Sequence, residues 1–262
     1  MLATHSRTPQ PKPSQVESLR AQILALERHG LPTRAGTLPF GVDAIDRCLP
    51  GGGLMLGAVH EVQAAGPDTD TGALPTSFVA GILARHPGPV LWIGQERRVF
   101  GPGLVQTGLD PGRVVFVDAG RVVPLVTEEA LRHPGIAGVV AELDGRLDGV
   151  ASRRLQLAAE GSGVLGLLIR LSRRFDDPAL NEPSAAATRW RVGPVPSPPA
   201  LAHAPDMDGM PRPRWQLGLL RCRGSEGASW IVEGADAQGR LALASVLVDG
   251  PAVPARCRAG TR

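Results

Sequence analysis

Ala58-Val59-His60-Glu61-Val62, then Gln63-Ala64-Ala65-Gly66-Pro67-Asp68-Thr69-Asp70-Thr71-Gly72-Ala73-Leu74-Pro75, then Thr76-Ser77 at the head of an apolar stretch reaching Arg85, is the part of the sequence that decides the fold. A short β-branched run, a loop holding Gly66 and Gly72, and a helical pattern over 76–85 make a strand–loop–helix unit. Downstream the alternation continues, with strand-like runs at 89–93, 114–118, 136–143 and 164–171, and helical patterns at 103–108, 125–132 and 149–160 between them. Five short apolar runs separated by helices predict an α/β protein, with a mostly parallel sheet covered by helices on both faces.

The flanks read differently. Residues 1–14 are rich in Pro, Ser and Thr and predict a disordered tail. Residues 15–29 place Val16, Leu19, Ile23 and Leu26 on one stripe, a short amphipathic helix followed by a linker to residue 35. That stripe is a candidate docking helix, packing on its own domain or on a neighbour. A core over 36–250 follows, containing a proline-rich region at 175–213 that reads as a flexible loop, with 185–192 as a single strand candidate within it. Runs at 215–221, 229–233 and 240–247 predict antiparallel strands added at the C-terminal side, and 251–262 a loose tail.

Composition narrows the chemistry. The chain has 262 residues, 43% hydrophobic and 20% charged, enough for a sizeable core. Its three cysteines, Cys48, Cys222 and Cys257, are far apart and odd in number, which offers neither a disulfide framework nor a zinc site and fits a reducing cytoplasm. No apolar stretch reaches the ~18 residues of a membrane span, and residues 1–13 lack a signal-peptide core. Of the 28 basic residues only Lys12 is a lysine, and it lies between two prolines in the tail. A mechanism needing a buried lysine is therefore excluded by composition. Positive charge gathers in the second half, +5 over 151–262 against −2 over 1–150.

In an open parallel sheet the ligand site lies at the carboxyl ends of the strands, where helix N-termini point. A phosphate-binding loop there needs Gly-Lys-Ser or Gly-Lys-Thr, the lysine for the terminal phosphates and the hydroxyl for magnesium. Here Gly72 is followed by Ala73, and Asp68 and Asp70 occupy the loop. A carboxylate ~4 Å from a phosphate costs about 4 kcal/mol per charge pair at an effective dielectric near 20. Strong triphosphate binding is not expected, and no cofactor or metal is.

Leu38-Pro39-Phe40-Gly41-Val42-Asp43-Ala44-Ile45-Asp46-Arg47-Cys48-Leu49-Pro50-Gly51-Gly52-Gly53-Leu54, followed by Gly57 to Val62, resembles the approach to the core of RecA-type recombinases, and more closely the ImuA family, the RecA-like accessory proteins of a bacterial DNA-damage mutagenesis cassette. The resemblance runs over about residues 15–247 and includes Val90-Leu91-Trp92-Ile93 and Arg214 to Arg221. It implies a RecA-like core whose nucleotide site has decayed. Gly66, Asp68, Asp70, Gly72, Thr76 and Ser77 would form the degenerate phosphate loop. Glu96 would fall where the water-orienting carboxylate stands, Glu142 where the magnesium-linked acid stands, with Asp144 as its alternative, and Arg170 near a sensor position. Without the lysine, ATP hydrolysis is not expected.

The resemblance further implies an adaptor in translesion synthesis. Its partners would be ImuB, a relative of Y-family polymerases, an error-prone C-family polymerase, the sliding clamp and RecA. It also directs the search for weak DNA or partner contact to Arg173, Arg174, Arg189, Trp190 and Arg191, after the fifth strand. A solvated basic face is the plain alternative for these residues. So are a strand-end cluster for Glu96 with Arg97 and Arg98, helix capping for Asp43 and Asp46, and a half-buried structural role for His60. Two rival functions stand beside the adaptor: a SulA-like cell-division inhibitor, and a RecA- or RadA-like ATPase in which an arginine such as Arg85 replaces the missing lysine.

Overall fold

The computed structural model describes Ser18 and residues 36–96, 99–175, 177–199 and 211–244. The tails, the docking helix with Val16, Leu19, Ile23 and Leu26, and the neighbours Arg97 and Arg98 lie outside the described residues.

A two-stranded ribbon, β1 (Thr37–Leu38) with β2 (Leu54–Met55), opens the core. Nine strands follow: β3 (Val59–Ala64), β4 (Val90–Gly94), β5 (Val114–Asp118), β6 (Gly138–Asp144), β7 (Leu165–Leu171), β8 (Thr188–Val195), β9 (Arg214–Cys222), β10 (Ala228–Glu233) and β11 (Ala242–Leu243). They form one sheet in the order β11-β10-β9-β8-β3-β7-β6-β4-β5. From β5 to β8 every pairing is parallel; from β8 to β11 every pairing is antiparallel. This is the expected mostly parallel α/β core with antiparallel strands at its C-terminal side. Strands β3 and β7 are buried at every residue, as central parallel strands covered on both faces must be.

Seven helices are described: α1 (Asp43–Asp46), α2 (Asp68–Thr71), α3 (Ala73–Ala84), α4 (Gly101–Gln106), α5 (Val123–Leu131), α6 (Gly149–Ser162) and α7 (Pro178–Asn181). The longer ones cover both faces of the sheet. On one, α3 lies across β3, β7 and β8, burying Phe78, Val79, Ile82 and Leu83. On the other, α5 and α6 pack together over β6, β4, β7 and β3. Asp148 caps α6 by accepting from the Ala151 amide, and Gly163 ends it at φ 82°, a left-handed stop that a side chain would strain.

The segment approaching β3 is held by aromatic packing. Phe40 stacks on Phe78 at 5.8 Å and tilts against Trp190 at 5.4 Å, and Trp190 meets Trp230 at 6.3 Å. Asp46 does more than charge a short helix: its carboxylate accepts from the amides of Phe40 and Gly41 at 2.7 and 2.9 Å and closes the turn.

Within the proline-rich region 175–213, the strand candidate at 185–192 is present as β8, which joins the parallel and antiparallel halves of the sheet, so the region is not simply a loop. Trp190 and Val192 enter the core while Arg189 and Arg191 face the other way.

Candidate functional site

Strand β3 ends at Ala64, and the chain passes through Ala65, Gly66 and Pro67 straight into α2 and α3, with Gly72 itself helical between them. A phosphate cradle is made of backbone N–H groups left pointing at the ligand. Here most of those groups have other acceptors. The Ala65 amide donates to Val192 O, Asp68 to Ser172 O, Asp70 and Thr71 to Pro67 O, and Gly72 to Asp68 O. Pro67 has no amide to give. The hydroxyls of Thr76 and Ser77 donate back to Gly72 O and Ala73 O on their own helix. Asp68 and Asp70 occupy the first turn of α2, where their charge complements the helix N-terminus.

Beyond this turn is a cavity of about 720 Å³ at the carboxyl ends of the parallel strands. Its wall brings together five of the expected residues, Asp68, Gly72, Thr76, Ser77 and Glu142. The Glu142 carboxylate, buried at the end of β6, accepts from the Trp92 indole N–H at 2.8 Å. Gly66, Asp70, Glu96 and Asp144 are not part of this wall: Glu96 is exposed beyond β4, Asp144 is exposed at the end of β6, and Gly66 lies against the Phe175 ring. The wall also includes Val99, Phe100 and Leu104 around α4, and Arg212, Trp215 and Asp236 in and beside the C-terminal strands β9 and β10. Sequence reasoning missed these last three. The only trace of them was the alternation of Trp215, Leu217 and Leu219 along β9.

The basic residues after β7 part company. Arg173 and Arg174 are exposed, and Arg174 shares a narrow cleft with Arg191, Gln63 and Asp177. Arg189 and Trp190 are corrections to the expected contact set. Trp190 is 0% exposed and has no face to offer a base. Arg189 is buried, its Nε donating to Glu61 Oε2 at 2.7 Å and its Nη2 to the Glu182 carbonyl at 2.6 Å. Arg170 approaches the other Glu61 oxygen at 3.3 Å and donates to the Gly145 carbonyl at 2.8 Å. One carboxylate thus stands between two guanidinium groups across β7, β3 and β8. Burial pulls Arg170 below the usual guanidinium range, against the pull of Glu61. Arg170 is a structural partner here and does not reach the cavity wall.

His60 is also fully buried. Trp190 Nε1 donates to Thr188 Oγ1 at 2.7 Å, Thr188 contacts His60 Nδ1 at 2.8 Å, and His60 Nε2 contacts Met55 O at 2.9 Å. A carbonyl can only accept, so the ring proton sits on Nε2 and Nδ1 accepts from Thr188. Burial pushes this imidazole down to about 4, so it is neutral. Arg85, the nearest stand-in for a missing lysine, follows the far end of α3, donates to Pro39 O and lies over the Phe40 ring. Among the described residues no group of three His, Cys, Asp or Glu is placed to hold a metal ion, and no helix is long and apolar enough to cross a membrane.

No family model matches the chain. It is similar to Protein ImuA of Caulobacter vibrioides, from strains NA1000 / CB15N and ATCC 19089 / CIP 103742 / CB 15, at 39% identity over 219 residues, which covers 79% of this chain and 87% of that protein. The chain belongs to the ImuA family. Among solved structures it is similar to the RadB recombinase, at 18% identity and a TM-score of 0.49, covering 77% of this chain and 97% of that one. For an ImuA-family chain with this geometry, the cavity offers apolar walls and carboxylates, not a cradle of free amides.

Proposed function

We propose that this chain is a cytoplasmic, non-catalytic RecA-like adaptor in DNA-damage-induced translesion synthesis, binding an ImuB-like protein and an error-prone C-family polymerase. Membership of the ImuA family supports the place in the mutagenesis cassette. The observation that carries the non-catalytic reading is the loop after β3, where the amides of Ala65, Asp68, Asp70, Thr71 and Gly72 already have acceptors within the fold. Phosphoryl transfer depends almost wholly on positioning and electrostatics, and a lysine-free loop bearing Asp68 and Asp70 supplies neither. What the fold retains for function is surface: the rim of the cavity, the exposed Arg173 and Arg174, and the outer faces of the helices.

Two measurements test this. Tagged protein recovered from cells after ultraviolet damage should bring down the ImuB-like protein and the polymerase; recovery of neither, together with full damage-induced mutagenesis in a deletion strain, overturns the adaptor reading. Millimolar Mg-ATP should leave the melting temperature unchanged. A ligand at 100 times its dissociation constant adds about 2.7 kcal/mol, so a clear upward shift would return the chain to the nucleotide-dependent class.

A further inference from the structure

We propose that the cavity at the head of α3 is a peptide-binding site, taking an apolar anchor side chain and an adjacent Arg or Lys from a partner protein. This deepens the adaptor reading and rests on it. Two observations choose the occupant. The first is charge: among the described lining residues Asp68, Glu142 and Asp236 are carboxylates, against one guanidinium, Arg212. That guanidinium is already engaged with Glu233 and with the carbonyls of Gly234 and Arg240. A triphosphate is repelled by such a wall, and a basic side chain is attracted.

The second is the apolar floor and rim. Leu104, Leu171 and Trp215 are buried in the wall, while Phe100 at the mouth is 72% exposed and Val105 on the adjoining helix 55%. An exposed aromatic beside a pocket deep enough for a side chain is how protein interfaces are anchored.

Gly103 and Ala73 allow the site to be filled without dismantling the fold. A side chain at Gly103 starts in open space, its nearest neighbour the Phe100 ring edge at 3.7 Å, and Ala73 is exposed at the start of α3. The experiment is selection of displayed random 12-residue peptides on the full-length immobilised chain, followed by fluorescence anisotropy of the winners. The expected result is enrichment of an aromatic or branched aliphatic residue next to Arg or Lys. Gly103→Trp and Ala73→Trp should each weaken binding at least tenfold with the melting temperature unchanged, and Asp68→Asn should weaken it and reduce its salt dependence. Selected peptides that are acidic, or that bind both tryptophan variants as tightly as the parent, overturn the proposal. If cassette partners are recovered equally by parent and Gly103→Trp protein, the cavity assignment fails while the adaptor reading stands; if the parent recovers none, the adaptor reading is what fails.

Discussion

His60 and Glu61 are adjacent on β3 and face opposite sides of the sheet, and each makes a measurable statement. His60 is held neutral with a folded value of about 4 against 6.5 when exposed. Below pH 6.5 the unfolded chain takes up a proton that the folded chain refuses, so stability is full above pH 6.5 and is lost as pH falls toward 4. The loss is about 3 kcal/mol, since each tenfold difference in proton affinity between the folded and unfolded chain is worth about 1.4 kcal/mol. Urea midpoints measured from pH 8 to 4 should fall through this window, and His60→Leu should flatten the fall. Glu61 lies between Arg170 and Arg189, all three buried. Glu61→Gln strands two buried cations, and equilibrium unfolding should show a loss of about 3–5 kcal/mol; replacing all three residues with apolar ones of similar size should recover most of it. Sequence marked His60 and Arg170 but not Glu61, because a lone carboxylate in a strand carries no local sign of partners 109 and 128 residues away.

At the scale of elements, five of the six strands joined by parallel pairings were legible as short apolar runs bounded by turn residues; even the edge strand β5, largely exposed on one side, runs from Val114 to Asp118 as read from the sequence. Helix boundaries moved by a few residues: α3 begins at Ala73, not 76, because α2 and Gly72 continue into it. Strand β8 was legible as 185–192 within the proline-rich region, β11 falls inside the run read at 240–247, and only the two-residue strands β1 and β2 carry too few residues for any pattern. Phe40 ties the segment before β3 to α3 and β8. Phe40→Ala should cost about 3–5 kcal/mol in chemical denaturation, since Phe78 and Trp190 cannot close the void. A cost under about 1 kcal/mol, the range of surface substitutions, would mean that the segment approaching β3 is an appendage and not part of the core.

At the scale of the whole molecule, the site is assembled by distant parts of the chain. Asp68 and Glu142 come from the parallel half, Trp215 and Asp236 from the antiparallel extension. The loop therefore differs from a phosphate cradle by more than one residue. Ala73→Lys would restore the sequence Gly-Lys ahead of the helix, yet the amides of Ala65, Asp68 and Thr71 would keep their acceptors in β8, after β7 and in the loop itself. Ala73→Lys protein should therefore show no thermal shift with Mg-ATP. A shift comparable to tight binding would mean that the lysine alone was missing.

The sequence by itself determined the strand–loop–helix alternation, the absence of a usable lysine and the acidic loop, because each is a property of local pattern or composition. Only the tertiary structure decided where the loop amides donate, that Trp190 lies in the core while its neighbour Arg189 pairs with Glu61, and that a cavity remains where the antiparallel strands close over the head of α3. These depend on groups brought together across β3, β7, β8 and β9. Hydrogen bonds and burial between such distant segments leave no periodic trace in the chain.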